Sequence, residues 1–390
     1  MSTRMHVLMV LESSYPAPRG GGAEGQVRTL ARGLRARGQR VTVLAPMLAR
    51  GPQQTVGRVD GVPVCRLPYP HIRVIGTFWL WAVAARFLWR RRHRYDAWHV
   101  HIAHHLAGLC AILGQILDKR VLTKVAGSWE LENGTLAPSP KPLDRIAGYG
   151  LRHTETWQAI SRRMAATLAS RGIPPARIAA VPNAVDTDRF AHLQPPHDTA
   201  ARFLFIGRLE QEKCLDGLLD AFAAVVPRHP EAFLRIVGTG RLRGELEQQA
   251  RDLRIEQWVE FAGHHDDITA DLAWANVGVL CSRIEGLSNT LLESMASGLP
   301  MVASRISGNE DFVRDGENGW LFEAGDAVGL ARAPDCPAPT LSPQRRLMGE
   351  EARATVRRQA GIDQIVTRLL TIYSGERTWY ADASLPNRSL

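Results

Sequence analysis

The chain has 390 residues, more than the roughly 250–300 at which a single core stops growing, so two domains are expected, and a composition of 45% hydrophobic and 22% charged residues can bury two ordinary cores. The formal charge of +9 is unevenly shared: residues 1–195 carry 27 Lys and Arg against 11 Asp and Glu, and residues 196–390 carry 21 against 28, giving +16 and −7. The five cysteines (Cys65, Cys110, Cys214, Cys281, Cys336) are dispersed, odd in number and without a Cys-x-x-Cys pair, which argues against a disulfide framework or zinc knuckle and fits a reducing cytoplasm.

The apolar run Met5–Leu11 is too short for a signal peptide, meets Glu12 without a small-residue cleavage site, and reads as a first strand. Short β-rich runs then alternate with helical patterns, as in βαβ units around a parallel sheet. The expected strands are 6–11, 40–45, 97–101, 120–125, 158–160 and 179–182, then 203–206, 233–237, 259–262, 277–281, 300–303 and 319–322. The pattern restarts near residue 200, and Pro195–Pro196 in the polar stretch His192–Ala201 mark a linker, because consecutive prolines continue neither a helix nor a central strand. The expectation is therefore an α/β chain of two doubly wound, Rossmann-like domains, 1–195 and 196–360. A terminal helix in 361–375 would pack back on the first domain, with a polar tail at 376–390. Residues 331–343, with four prolines, read as an irregular loop. Ligands of open α/β sheets bind at the carboxyl ends of the strands, so the site is expected where the two domains face each other.

Residues 72–94 combine Trp79, Trp81, Phe87 and Trp89 with Arg90, Arg91, Arg92 and Arg94. The charge-free run Val74–Ala85 is far shorter than the roughly 20 residues that span a bilayer. It suits an interfacial helix on an anionic membrane; the plainer alternative is a core helix whose basic last turn complements its dipole. The basic first half likewise suits a phospholipid, a lipid diphosphate or nucleic acid, unless it only reflects an Arg-rich proteome.

Three segments carry chemistry. In Ser282–Ser304, Glu285 lies in a loop after an apolar strand, and Ser288 and Asn289 are good N-caps for a helix. The backbone N–H groups near Leu291 and Leu292 would face an anion, Glu285 would accept sugar hydroxyls and Glu293 those of a ribose. In Gly207–Phe222, Arg208 and Lys213 set a planar fork and a point charge near a helix N-terminus, suited to a diphosphate. The glycines Gly20, Gly21 and Gly22 allow close backbone approach before a helix. Each segment alone has a structural explanation, such as a flexible loop or a first-turn acid.

In order along the chain, Gly21–Glu24, Ala159–Phe190, Phe205–Lys213, Ile236–Gly240 (with Gly238) and Glu285–Ser304 resemble the retaining family 4 glycosyltransferases of the GT-B fold, over roughly residues 5–375. The resemblance implies that Arg208 and Lys213 hold the donor diphosphate, Glu285 contacts the donor sugar, Glu293 binds ribose and the glycine loop closes on the phosphates. It implies transfer from a UDP- or GDP-sugar without a metal or other cofactor, with retention and with no protein nucleophile. The leaving diphosphate would be stabilised electrostatically. The expected acceptor is a lipid-linked envelope or exopolysaccharide precursor, met by a cytoplasmic protein peripheral to the inner face of the membrane.

The sequence departs from the family where many members have His-Gly after the fourth strand: Ala126 stands in the histidine position and Gly127 is kept. Ser128 and Glu130 are polar candidates nearby. Ala184 and Cys214 stand where glycine is commoner. His99, His101, His104 and His105 lack cysteine or carboxylate partners at ligand spacing, so the metal reading yields to an acceptor-side one with His101 best placed. Three competing readings are a soluble acceptor, a GT-B nucleotide-sugar epimerase, and nucleic-acid binding without catalysis, for which no recognisable motif is present.

Overall fold

The structure is a computed structural model that describes residues 4–16, 21–48, 54–138, 141–196, 201–326, 329–330 and 342–376. It forms two compact units. The first comprises Met1–Ala184 and Ile362–Leu390, the second Val185–Gly361. The change of unit comes at Ala184–Val185, ahead of the Pro195–Pro196 stretch expected to mark it.

The first unit holds strands β1 (His6–Val10), β2 (Arg40–Pro46), β3 (Val56–Val59), β4 (Val62–Leu67), β5 (Ala97–Val100), β6 (Arg120–Val125), β7 (Thr156–Ala159) and β8 (Ile178–Ala180). They form one sheet in the order β3-β4-β2-β1-β5-β6-β7-β8, parallel except between β3 and β4. Its helices are α1 (Gly22–Ala36), α2 (Arg73–Arg90), α3 (His105–Ile116), α4 (Ser128–Glu132), α5 (Pro142–Leu151) and α6 (Arg162–Ser170). Apart from the edge strand β3, the strands are near-continuous apolar runs because helices cover both sheet faces. Val7, Leu8 and Met9 of β1 are fully buried. Helix α1 turns Val27, Leu30, Ala31 and Leu34 inward at helical spacing. The closing helix, Ile362–Ser374, adds Ile365, Val366, Leu369 and Tyr373 to the same core.

The second unit is a six-stranded parallel sheet, β11-β10-β9-β12-β13-β14, of β9 (Arg202–Ile206), β10 (Phe233–Val237), β11 (Val259–Gly263), β12 (Val277–Leu280), β13 (Met301–Ser304) and β14 (Gly319–Phe322). Its helices are α7 (Thr187–Phe190), α8 (Leu215–Val225), α9 (Arg243–Asp252), α10 (Thr269–Trp274), α11 (Asn289–Ala296), α12 (Asn309–Phe312) and α13 (Ser342–Gln359). All six strands expected from the sequence are present. In both sheets the strand order reverses beside the first strand, between β1 and β5 and between β9 and β12. Those two crevices are where such sheets take ligands.

The β3–β4 hairpin is absent from the sequence reading. Its signal was Asp60-Gly61 between alternating apolar residues, the pair favoured by a two-residue turn with both φ angles positive; here φ is 49° and 74°. Cys214 sits at φ 51°, the left-handed region, which accounts for glycine being commoner there and costs roughly 1–2 kcal/mol. Ala184 is not among the residues with positive φ and is held at N–H and C=O by Gln26, both at 2.8 Å. The expected loop 331–343 lies outside the described residues up to 341, as does the tail from 377.

Helix α2 has one buried face and one exposed face. Leu80, Ala84 and Leu88 form a buried stripe at i, i+4, i+8, while Val74, Ile75, Phe78, Trp79 and Trp89 are exposed, Trp79 at 55%. Among the described residues no helix is long and apolar enough to cross a membrane.

Candidate functional site

The crevice of the second unit is built by the loops after β9 and β12. The first carries Gly207, Arg208 and Lys213 and the second Ser282, Arg283 and Glu285. A backbone bond from Arg283 N–H to Glu212 O at 2.9 Å ties the two loops together, and Cys281 Sγ donates to Lys213 O at 3.0 Å. Lys213 and Glu285, separated by 72 positions, form an ion pair with side chains only 12% and 17% exposed. Ser282 Oγ donates to the same carboxylate at 3.4 Å. Arg208 stands at the surface and bonds Glu212, four positions on, at 2.8 Å. The two expected cations are thus brought to one strand-end loop, each beside an acid. A doubly charged ligand would compete for both, and it would do so where water is partly excluded and charge interactions are strong.

Close backbone packing forms the adjoining wall. A Cβ on Gly238 would lie 1.8 Å from Gly207 O, and its φ is 142°, so only glycine fits between the ends of β9 and β10. Gly238 N–H bonds Gly263 O at 2.6 Å, and Gly207 N–H bonds Val237 O at 3.0 Å.

Helix α11 starts at Asn289, with Ser288 as its N-cap. The N–H groups of Leu291 and Leu292, expected to face an anion, reach Ser288 in this structure. Leu291 N–H goes to Ser288 Oγ and Leu292 N–H to Ser288 O, both at 3.4 Å. Both bonds are long, and both side chains are fully buried. Glu293 follows one turn into the helix. Burial pushes its carboxyl up to about 7, opposed by the charge of Arg189 on α7.

That shift has a testable sign. The folded value lies above the ordinary 4.5, so between these pH values the folded chain keeps a proton that the unfolded chain has lost. The stability Glu293 contributes is full below 4.5 and is lost as pH rises toward 7. Glu293→Gln should therefore gain stability relative to the parent across this window. Paired melting curves at pH 5 and pH 8 check it, and an equal difference at both would contradict the assignment.

In the first unit, Gly21 is the N-cap of α1 and Gly22 its first residue; Gly20 lies outside the described residues. At the β1/β5 crevice the histidines divide. His99 and His101 stack at 4.1 Å inside the core. His99 bonds Tyr373 Oη at 2.7 Å and Gln158 at 2.9 Å, and burial lowers its pKa to about 3. His101, expected to be the best placed toward an acceptor, is 0% exposed with no partner on either ring nitrogen among the described residues. Its pKa is driven down by burial, then by His99 and Lys124. Lys124, which the sequence reading passed over, is buried, bonds Asn183 Oδ1 at 2.6 Å, and is lowered by burial to about 7.

His104 and His105 are the partly open pair. They stack at 3.9 Å between two carboxylates that sequence spacing could not reveal. Glu12, just after β1, lies 2.9 and 3.7 Å from their Nδ1 atoms, and Asp144 of α5 lies 3.6 and 2.9 Å from their Nε2 atoms. Glu12, His104 and His105 bring one ligand atom each within 4.8 Å of one another, so the fold supplies the carboxylate partner that local spacing lacks. The rings lie nearly parallel, 24° apart, which directs their lone pairs side by side and suits hydrogen bonding. Burial opposes charge on His104, but its bond to Glu12 and the charges of Glu12, Asp144 and Glu130 raise its pKa overall. Glu130 is 3% exposed and accepts from Ala126 N–H and Gly127 N–H, both at 2.9 Å. It therefore caps the turn at the missing-histidine position. The Ser128 side chain lies outside the described residues.

Comparisons with known proteins place these features. Residues 20–189 match the profile of Glycosyltransferase Family 4 and residues 200–334 that of Glycosyl transferases group 1. The chain is 30% identical over 353 residues to the phosphatidyl-myo-inositol mannosyltransferase of Mycobacterium leprae, covering 84% of this chain and 86% of that protein. It is 41% identical over 149 residues to the lipopolysaccharide core biosynthesis glycosyltransferase LpsE of Rhizobium meliloti, a match that spans 38% of this chain and 42% of the relative. Among solved structures, Anabaena HepE in complex with UDP superposes with a TM-score of 0.76 at 20% identity, covering 95% of this chain and 100% of that one. WaaG, a glycosyltransferase involved in lipopolysaccharide biosynthesis, does so at 0.71 and 18%, covering 95% and 100%. With two parallel-sheet α/β units, each with its crevice at the reversal of strand order, the chain belongs to the family 4 glycosyltransferases of the GT-B fold.

Proposed function

We propose that this glycosyltransferase moves a sugar from a UDP- or GDP-sugar to a hydroxyl of a lipid-linked envelope or exopolysaccharide precursor, with retention at the anomeric carbon. The observation that carries the reading is the Lys213–Glu285 pair with Arg208 at the β9/β12 crevice. Arg208 and Lys213 take the charge that develops on the leaving diphosphate, which is the step this chemistry most needs stabilised, and no metal is required for it. Glu285 orients the donor sugar and Glu293 the ribose. The acceptor hydroxyl attacks from the face the diphosphate leaves, and a phosphate oxygen of the leaving group takes its proton. On the acceptor side, the half-open His104 with Glu12, His105 and Asp144 offers both donors and acceptors to sugar hydroxyls. The named activities of the relatives from M. leprae and R. meliloti support a lipid-linked acceptor, and the HepE complex supports a uridine nucleotide.

The exposed aromatic face of α2 and the arginines after it suit a peripheral position on the inner face of the cell membrane. Trp79→Glu should cut sedimentation with phosphatidylglycerol vesicles several-fold, and unchanged sedimentation would favour a soluble acceptor. The transfer itself is tested by incubating UDP- and GDP-sugars with lipid-linked acceptors and following nucleotide release and the anomeric configuration of the product by NMR. Release with a product of retained configuration is expected. No release with any pair, or an inverted product, would overturn the reading.

A further inference from the structure

A cavity of about 370 Å³ opens at the amino edge of the first unit's sheet, the edge opposite Glu12 and His104. It lies among the starts of β1, β2 and β4, the last turn of α1, β3 and the turn after α2. Among the described residues, six arginines line it, Arg4, Arg35, Arg40, Arg58, Arg91 and Arg94, together with His6 and no carboxylate. Its floor is an ordered polar network. His6 Nε2 lies 2.9 Å from Thr42 Oγ1, buried Tyr95 is hydrogen-bonded to Arg91 and Thr42, and Arg91 also reaches Cys65 Sγ at 3.5 Å.

Internal acids do not neutralise this ring. Arg35 and Arg58 bond backbone carbonyls, of Asp60 at 2.9 Å and Gly61 at 3.0 Å. Asp60 itself pairs with Arg28 and Arg32, and Asp96 accepts from His6 N–H. Among the described residues Arg4, Arg40 and Arg94 have no ion pair. Helix C-termini draw cations, which accounts for Arg35 and Arg91. It does not account for Arg4, Arg40 and Arg58, which come from strands or their approaches. Like charges gathered around a concavity raise the local potential. His6 registers it: burial, then the Arg40 charge, lower its pKa, with Asp96 opposing.

We propose that this cavity binds a phosphate group, recognised by guanidinium forks whose geometry matches phosphate oxygens. The source is either a phospholipid headgroup or a free phosphate ester. Arg91 and Arg94 follow directly on α2, so a headgroup held here would sit beside the exposed aromatic residues of that helix. The inference adds a second anion site to the donor crevice and does not depend on the transfer reaction.

The test titrates the full chain calorimetrically with inorganic pyrophosphate at low ionic strength, in a Lys213→Ala background that weakens the donor crevice. Binding is expected to persist there and to fall about tenfold or more, a loss of about 1.4 kcal/mol, when Arg40→Glu and Arg94→Glu are added. Both side chains are exposed, so these variants should fold, which melting curves check. Arg162→Glu with Arg163→Glu, an equal charge change at exposed positions of α6, should leave affinity within about twofold. The His6 ring resonance should titrate at higher pH with pyrophosphate bound. Phosphatidylglycerol vesicle sedimentation separates the sources: loss in the Arg40/Arg94 variant but not in the α6 control assigns a lipid headgroup, and retention assigns a free phosphate. Absence of pyrophosphate binding in the Lys213→Ala background, or equal weakening by both pairs of reversals, would overturn the proposal.

Discussion

Replacing Lys213 with alanine is expected to lower kcat for sugar transfer by about 10²–10³-fold, the usual effect of deleting one preorganised donor to a developing anion. Donor KM should change less, because the charge grows as the diphosphate leaves and the interaction strengthens in the transition state. The substitution also strands Glu285, whose carboxylate shares a site of low exposure with the ammonium. A partly buried acid left without its cation destabilises the fold. The double variant Lys213→Ala/Glu285→Gln separates the two effects: it should regain most of the lost melting temperature and none of the lost kcat. If it recovered activity, Lys213 would be only the partner of Glu285, with no part in stabilising the leaving group.

Gly238→Ala should cost about 2–4 kcal/mol of stability, in the range of backbone strain added to a steric clash. The added methyl would meet Gly207 O at 1.8 Å, and the neighbour is backbone, which cannot rotate away. The strand ends of β9 and β10 must then separate, carrying Arg208 out of register with Lys213. Loss of nucleotide affinity should accompany the loss of stability. Urea denaturation with and without UDP reads both, and an unchanged midpoint would show that the loop yields without strain.

The second unit was largely legible in the sequence because its strands are short, apolar and bounded by turns, and because Arg208, Lys213, Glu285 and Glu293 sit in segments that are local in sequence. The pairing of Lys213 with Glu285 was not legible. It depends on β9 and β12 being neighbours across the reversal of strand order, a fact of topology and not of spacing. The first unit was read less completely. The hairpin of β3 and β4 was missed although Asp60-Gly61 announced it, since the flanking strands are short and one is at the sheet edge. The histidine run was read as one group, yet β5 ends at Val100, so strand geometry buries His99 while the following loop carries His104 outward. Glu12 and Asp144, which give His104 its chemistry, come from positions 92 and 39 residues away from their histidine partners, and no local pattern could have joined them. Glu130 is polar and near Ala126 in the sequence, but that its carboxylate holds the backbone of that turn is visible only in the fold.

A nucleoside diphosphate is proposed to bind at the β9/β12 crevice through Lys213 and Glu293. Calorimetric titration of UDP and GDP into the parent chain, Lys213→Ala and Glu293→Gln tests it most directly. One of the two nucleotides should bind the parent, and its affinity should fall by about tenfold or more in each variant. Equal affinity in all three proteins, or no binding of either nucleotide to the parent, would contradict the account.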